Sequence, residues 1–271
     1  MKTRVIAACA LLPLLLVVVL ALPKIFTAVL FGVMAAIAAR ELLSGTGLVK
    51  HTRLIGYSMI MAFFVAVWSS MWTIYTLVLL GVLSFFCILF AEMMIFRKEV
   101  SFGELAISFV GGGVIPFLLS ALVRIHNWEN GRFLILLPFV IAFLSDTGAY
   151  FAGRAFGKHK LAPEISPNKT VEGLAGGVVG TCVGVVAYCL ILGRFFGFAV
   201  NYWYIPIYGI LGSLAAVFGD LCFSAVKRQT GIKDYGTVIP GHGGILDRFD
   251  SMTVVAPLTE LLMLLIPMVV R

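Results

Sequence analysis

Tyr204–Val226 reads YIPIYGILGSLAAVFGDLCFSAV, a run of 23 residues with one charged side chain, Asp220. A helix of about 20 mostly apolar residues crosses the roughly 30 Å of hydrocarbon in a bilayer, so this run predicts a transmembrane helix. Eight further runs pass the same test: Val5–Leu22, Ile25–Leu43, Leu54–Ser70, Ile74–Phe90, Leu105–Val123, Phe133–Phe151, Val171–Leu192 and Met252–Val270. The whole chain of 271 residues is 61% hydrophobic and 12% charged, with a mean hydropathy of +1.06. Those values exclude the soluble globular class. The predicted fold class is an all-α polytopic integral membrane protein with nine transmembrane helices.

Charge orients the spans. Fifteen of the 20 Lys and Arg residues fall in the N-terminus and in the loops after spans two, four, six and eight. By the positive-inside rule that side, N-terminus included, faces the cytoplasm. The net charge of +7 is thereby explained by membrane orientation, and no nucleic-acid partner is expected. The basic start and apolar first run imitate a secretory signal, but only Pro23 and Lys24 separate it from the second run. An uncleaved helical hairpin is the expectation. The five cysteines lie inside apolar runs with no paired metal spacing and read as small hydrophobes.

Residues 1–104 are poor in chemical signals and read as scaffold and lipid access, with 105–271 as the catalytic region. Arg40-Glu41 and Glu92 read as interfacial charges. Trp68, Trp72, Trp128 and Trp203 sit near predicted helix ends, as in an aromatic belt. Gly111-Gly112-Gly113, with Pro116 close behind, predicts a close helix contact or a kink. Gly173, Gly176, Gly177, Gly180 and Gly184 recur at spacings of three and four, which bares one helix face for packing or for a homodimer.

Two islands of charge remain. Phe218–Ser251 holds four of the 13 acidic residues and four of the 20 basic ones. On a continuous helix Asp220, Ser224 and Lys227 share a face, and Asp247 and Asp250 share one if they open the ninth helix. Carboxylates gathered near a membrane repel unless neutralised. Mg2+ does this characteristically, with one or two carboxylates plus substrate phosphate oxygens. Lys227, Arg228, Lys233 and Arg248 supply charge for phosphates, and Gly241, Gly243 and Gly244 around His242 let backbone approach a ligand. In the other island, Asp146 sits at the cytoplasmic end of span six, where a carboxylate is costly unless paired, hydrated or bound to a cation. Ser166-Pro167-Asn168-Lys169-Thr170 precedes an apolar helix, so hydroxyls, free N–H groups and Lys169 converge on an anion. Lys158, His159 and Lys160 read as attraction to the anionic leaflet. The combination predicts phosphoryl or nucleotidyl transfer. A membrane lipid or polyprenol kinase is a competing reading, though no Walker A Gly-Lys-Ser/Thr sequence is present. An ion-coupled transporter using Asp146, Asp220 and Glu260 as intramembrane carboxylates is the other.

The series Ser224-x-Val226-Lys227-Arg228, Lys233-Asp234-x-Gly236 and Pro240-x-His242-Gly243-Gly244-Ile245-x-Asp247-Arg248-Phe249-Asp250 resembles the signature of the phosphatidate cytidylyltransferases, or CDP-diacylglycerol synthases. Ser145–Tyr150, Phe156-Gly157-Lys158 and Ser166-Pro167-x-Lys169-Thr170 are similar to that family too, while Val171 stands where many relatives carry an aromatic. The resemblance implies condensation of CTP with phosphatidate in a bacterial cytoplasmic membrane, at a site facing the cytoplasm. The products would be CDP-diacylglycerol and pyrophosphate. It implies Mg2+, with room for a second cation, held among Asp146, Asp220, Asp247 and Asp250. Lys169, Lys227, Arg228 and Arg248 would position phosphates, and with Asp247 they form the expected catalytic set. Ser166, Thr170, Ser224, Lys233, Asp234, His242, Gly243 and Gly244 complete the expected substrate contacts.

Overall fold

The computed structural model describes residues 13–68, 75–239, 241 and 243–270. The start of the first predicted span, Trp72 and His242 lie outside the described residues. In chain order the main elements begin with α1 (Lys24–Arg40), prolonged by a π turn at Glu41–Gly45, then α2 (Thr52–Trp68) and α3 (Tyr75–Ile95). There follow α4 (Phe102–Phe109), a π segment (Val110–Val114), α5 (Ile115–Leu119), α6 (Ala121–Asn127) and α7 (Leu136–Phe156). A hairpin of β1 (Lys160–Ala162) and β2 (Ser166–Thr170) leads into α8 (Val171–Phe196), β3 (Ala199–Val200) and α9 (Ile205–Gln229). The chain then forms α10 (Leu246–Phe249), α11 (Met252–Leu265) and β4 (Val269–Val270). It is an all-α polytopic membrane protein with two small antiparallel ribbons added. Six described helices are long and apolar enough to cross a membrane: Lys24–Gly45, Thr76–Ile95, Phe102–Asn127, Gly131–Phe156, Val171–Phe196 and Tyr202–Gln229. Thr52–Trp68 is a shorter apolar helix.

The last predicted span is shorter than its hydropathy suggests. Helix α11 stops at Leu265 because Ile266 precedes Pro267 and takes φ −138°, ψ 68°. The proline ring clashes with a helical predecessor. Val269 and Val270 then pair with Val200 and Ala199.

The chain packs as two compact units. One comprises residues 1–132 and 227–249, the other 133–226 and 250–271.

In the first unit α1 and α2 meet through the buried alanines Ala35, Ala39, Ala62 and Ala66. Small residues bring two membrane helices close enough for dense van der Waals contact. The Gly111–Gly113 run forms the π segment, and a Cβ on Gly112 would lie 2.8 Å from Ser58 Cα and 2.9 Å from the Phe85 ring. The close contact read from this run holds, and the run takes up a π segment, with Pro116 just beyond it unable to donate in the regular pattern. Helix α4 starts on a reciprocal cap in which Ser101 Oγ accepts from Glu104 N (3.2 Å) and Glu104 Oε2 accepts from Ser101 N (3.1 Å).

In the second unit α7 and α8 pack closely along a glycine face. Gly176 lies against Ala152 and Gly148, Gly180 against Gly148, and Gly177 against Ser145 and Ser213. The glycine face of α8 therefore serves packing within the chain. Ser145 and Ser213 hydroxyls share a buried hydrogen bond of 2.9 Å between α7 and α9. Below them Leu137, Ile141, Val185, Cys189, Tyr208 and Val255 form the core.

Candidate active site

The candidate side chains gather in two clusters, one per unit. In the first unit the organising group is Asp247, in the opening turn of α10, whose side chain is 2% exposed. Its Oδ1 accepts from Lys227 Nζ at 2.9 Å, and its Oδ2 accepts from Tyr235 N (2.8 Å) and Gly244 N (3.0 Å). A carboxylate offers about four lone-pair positions, so the protein fills most of them. Lys227 Nζ also stands 5.4 Å from the centre of the Tyr235 ring, within cation–π range. The α9 helix runs unbroken to Gln229, three residues past the apolar run, which meets the condition for a shared face, and Lys227 reaches Asp247.

The loop before α10 is shaped by glycines with separate duties. Gly241 and Gly243 have φ of 76° and 86°, in the left-handed region that residues with a Cβ enter at a cost. Ile239 N donates to Gly243 O at 2.9 Å and closes the turn. Gly244 has a different reason: a Cβ there would lie 2.6 Å from Glu41 Cδ. Space that sequence reasoning assigned to a ligand is at this position occupied by a carboxylate of the chain itself.

Glu41 is the residue the sequence reading misplaced. It is buried, and its Oε1 and Oε2 accept from Ile245 N (3.0 Å) and Leu246 N (2.8 Å). An interfacial charge was expected. The buried carboxylate instead binds backbone donors at the start of α10, groups that no earlier turn of that short helix can satisfy. The available signal was an acidic residue closing an apolar helix, but its partners lie 204 and 205 positions away. Glu92 is also buried, beside Tyr57 Oη (3.1 Å) and Arg53 (3.7 Å). Lys233, Asp234, Arg228 and Arg248 are exposed on this unit.

In the second unit Lys169, near the end of β2, pairs with Asp220 of α9 at 2.5 Å, and Ser224 Oγ donates to the other Asp220 oxygen at 3.0 Å. Asp146, on α7, feels the charges of both Asp220 and Lys169. Thr170 is a helix cap: its Oγ1 accepts from Gly173 N at 3.1 Å at the start of α8. Ser166 opens the β2 strand. Glu172, in the first turn of α8, accepts from Lys158 N (3.1 Å) and His159 N (3.2 Å) and meets His159 Nδ1 at 2.6 Å. The 158–159 segment is thus tied to the protein, a role that reading it as leaflet attraction alone did not foresee.

Asp250 does not join Asp247 on one helix face. Helix α10 ends at Phe249 and α11 begins at Met252, with Asp250 in the turn between, its Oδ1 accepting from Ser251 N at 2.7 Å. Among the described residues no group of three or more His, Cys, Asp or Glu is assembled as a metal cage. Asp146 and Asp220 repel each other as like charges, and a hard divalent cation with water and phosphate oxygens is one chemical way to neutralise two carboxylates.

The model of the cytidylyltransferase family matches residues 2–266. Proteins described as phosphatidate cytidylyltransferase are 40% identical in Staphylococcus haemolyticus, 42% in Staphylococcus saprophyticus and 40% in Staphylococcus aureus. Each alignment covers 166 residues, which is 61% of this chain and 60% of the relative. The chain thus spans three-fifths of the length of the curated relatives it matches.

Proposed function

From the premise that this chain belongs to the cytidylyltransferase family, we propose that it condenses CTP with phosphatidate to give CDP-diacylglycerol and pyrophosphate. The observation that carries the reading is the Lys227–Asp247 pair, held in place by the glycine loop of the family-like signature. An oxygen of the lipid phosphate attacks the α-phosphorus of CTP, one O–P bond forms, and the bond to the β-phosphate oxygen breaks to release pyrophosphate. The nucleophile is already anionic, so no strong general base is required. The barrier comes from bringing two anions together and from the charge on the leaving group.

Lys227, Arg228 and Arg248 are assigned to nucleotide phosphates, and Lys169 to a phosphate that competes with Asp220 for its ammonium. Ser166, Thr170, Ser224, Lys233, Asp234, His242, Gly243 and Gly244 are assigned to supporting contacts. Asp146 and Asp220 would hold Mg2+, and the ion would supply neutralising charge between the two phosphates. Nine spans, a cytoplasmic N-terminus and a site open to the cytoplasm complete the reading, supported by the placement of Lys and Arg. CTP would then arrive from the water while phosphatidate enters from the bilayer.

The test is pyrophosphate release by the purified protein with phosphatidate and Mg2+, comparing CTP with ATP. Release with CTP and little with ATP is expected. No release with CTP from folded protein would refute the assignment.

A further inference from the structure

We infer that Glu41 is a positioning residue for the nucleotide: it holds the 243–247 loop in the form in which Asp247 grips Lys227. The inference rests on the proposed function for its substrate, but its geometry lies wholly within the first unit.

Three observations converge on it. Glu41 is 6% exposed, and both of its oxygens are used on adjacent backbone N–H groups, those of Ile245 and Leu246. Burying a carboxylate is costly unless such donors compensate it, so the loop and the carboxylate stabilise each other. Two glycines then make the room: a Cβ on Gly236 would lie 2.8 Å from Glu41 Cδ, and one on Gly244 2.6 Å from it. Finally, the groups that Glu41 fixes adjoin those that fix Asp247. Gly244 N donates to Asp247 just before Ile245 N donates to Glu41, and Tyr235 N donates to Asp247 just before Gly236 makes its space. Two carboxylates thus clamp consecutive amides of one loop, and the second of them holds the Lys227 ammonium. Removing the Glu41 charge leaves at least one of Ile245 N and Leu246 N without its acceptor, and Lys227 loses its fixed position without being altered itself.

Glu41→Gln keeps the size of the side chain but turns an N–H donor toward one of the two backbone donors. In the full-length protein its KM for CTP should rise about tenfold to a hundredfold, with KM for phosphatidate unchanged. Hydrogen exchange of peptides covering 241–249 should quicken. A merely structural role lowers the yield of active protein and leaves KM for CTP alone, so an unchanged KM for CTP overturns the inference. If wild-type protein makes no CDP-diacylglycerol, the proposed function fails and exchange alone decides: faster exchange supports the positioning role, and unchanged exchange overturns it. Should Glu41→Gln not be recovered folded, Gly236→Ala disturbs the same carboxylate by contact. It must raise KM for CTP in the same way, and an unchanged KM again overturns the inference.

Discussion

Two lysine–aspartate pairs, one in each unit, have the same chemistry and opposite settings. Lys227 and Asp247 have side chains 12% and 2% exposed, and Asp247 is bound by two further backbone donors. Lys169 and Asp220 are 22% and 31% exposed, with Ser224 as the added donor. A buried, fully bonded pair resists exchange of partners, because any single loss leaves a charge without compensation. A half-open pair can give up its lysine to a phosphate, or its carboxylate to a cation, at small cost. The proposed division of labour is that Lys227 stays bound to Asp247 while its remaining donors meet the nucleotide, whereas Lys169 and Asp220 part from each other to bind ligand.

The largest test of that comparison is Asp247→Ala. It leaves Lys227 buried without its counter-charge and releases Tyr235 N and Gly244 N. A loss of about 3–5 kcal/mol is expected, read as a fall in the thermal unfolding midpoint in detergent, and turnover should vanish while membrane insertion persists. A midpoint equal to wild type would mean that the pair organises nothing.

Next in size is Gly243→Ala, which forces a Cβ into the left-handed region at about 1–2 kcal/mol. Gly231 has a similar φ of 71°, and a Cβ there would meet nothing within 4 Å, whereas a Cβ on Gly243 would meet Asp247 Oδ2 at 3.1 Å. Gly243→Ala should therefore destabilise more than Gly231→Ala and alone should impair turnover. Equal effects in both assays would remove the loop's special link to Asp247. Thr170→Ala should follow at about 1 kcal/mol from loss of the α8 cap, with Thr170→Ser restoring the midpoint. If serine fails to restore it, the threonine methyl group matters more than the hydroxyl.

How much of this was legible depended on sequence distance. Asp220–Ser224 follows from helical spacing of four, and the α9 face that carries Lys227 follows from the same period. The membrane class follows from run lengths. The Gly111–Gly113 contact was announced by the glycines, although its partners Ser58 and Phe85 were not. Glu41 was not legible, because a carboxylate at a helix end has the same local pattern whether it faces headgroups or clamps a loop more than 200 residues later. The end of α11 was missed for another reason: hydropathy continues through Met268, Val269 and Val270, and Pro267 sets the backbone regardless of it. The loop glycines were recognised as necessary, but Gly244 is needed for Glu41, and no spacing rule carries that information.

The smallest stability effect belongs to the open pair. Asp220→Asn leaves Ser224 a hydrogen-bond acceptor and lets Lys169 turn toward solvent or keep its 3.5 Å contact with Val217 O. For a pair this exposed the cost is within about 1 kcal/mol, so the unfolding midpoint should barely move. Turnover should nevertheless fall by at least about a hundredfold, because the removed charge is one of the two assigned to the cation. Raising Mg2+ in the assay should recover part of the activity of Asp220→Asn and none of that of Asp247→Ala. A variant at Asp220 that loses stability as steeply as Asp247→Ala, or keeps wild-type turnover, would erase the distinction between a pair that builds and a pair that exchanges.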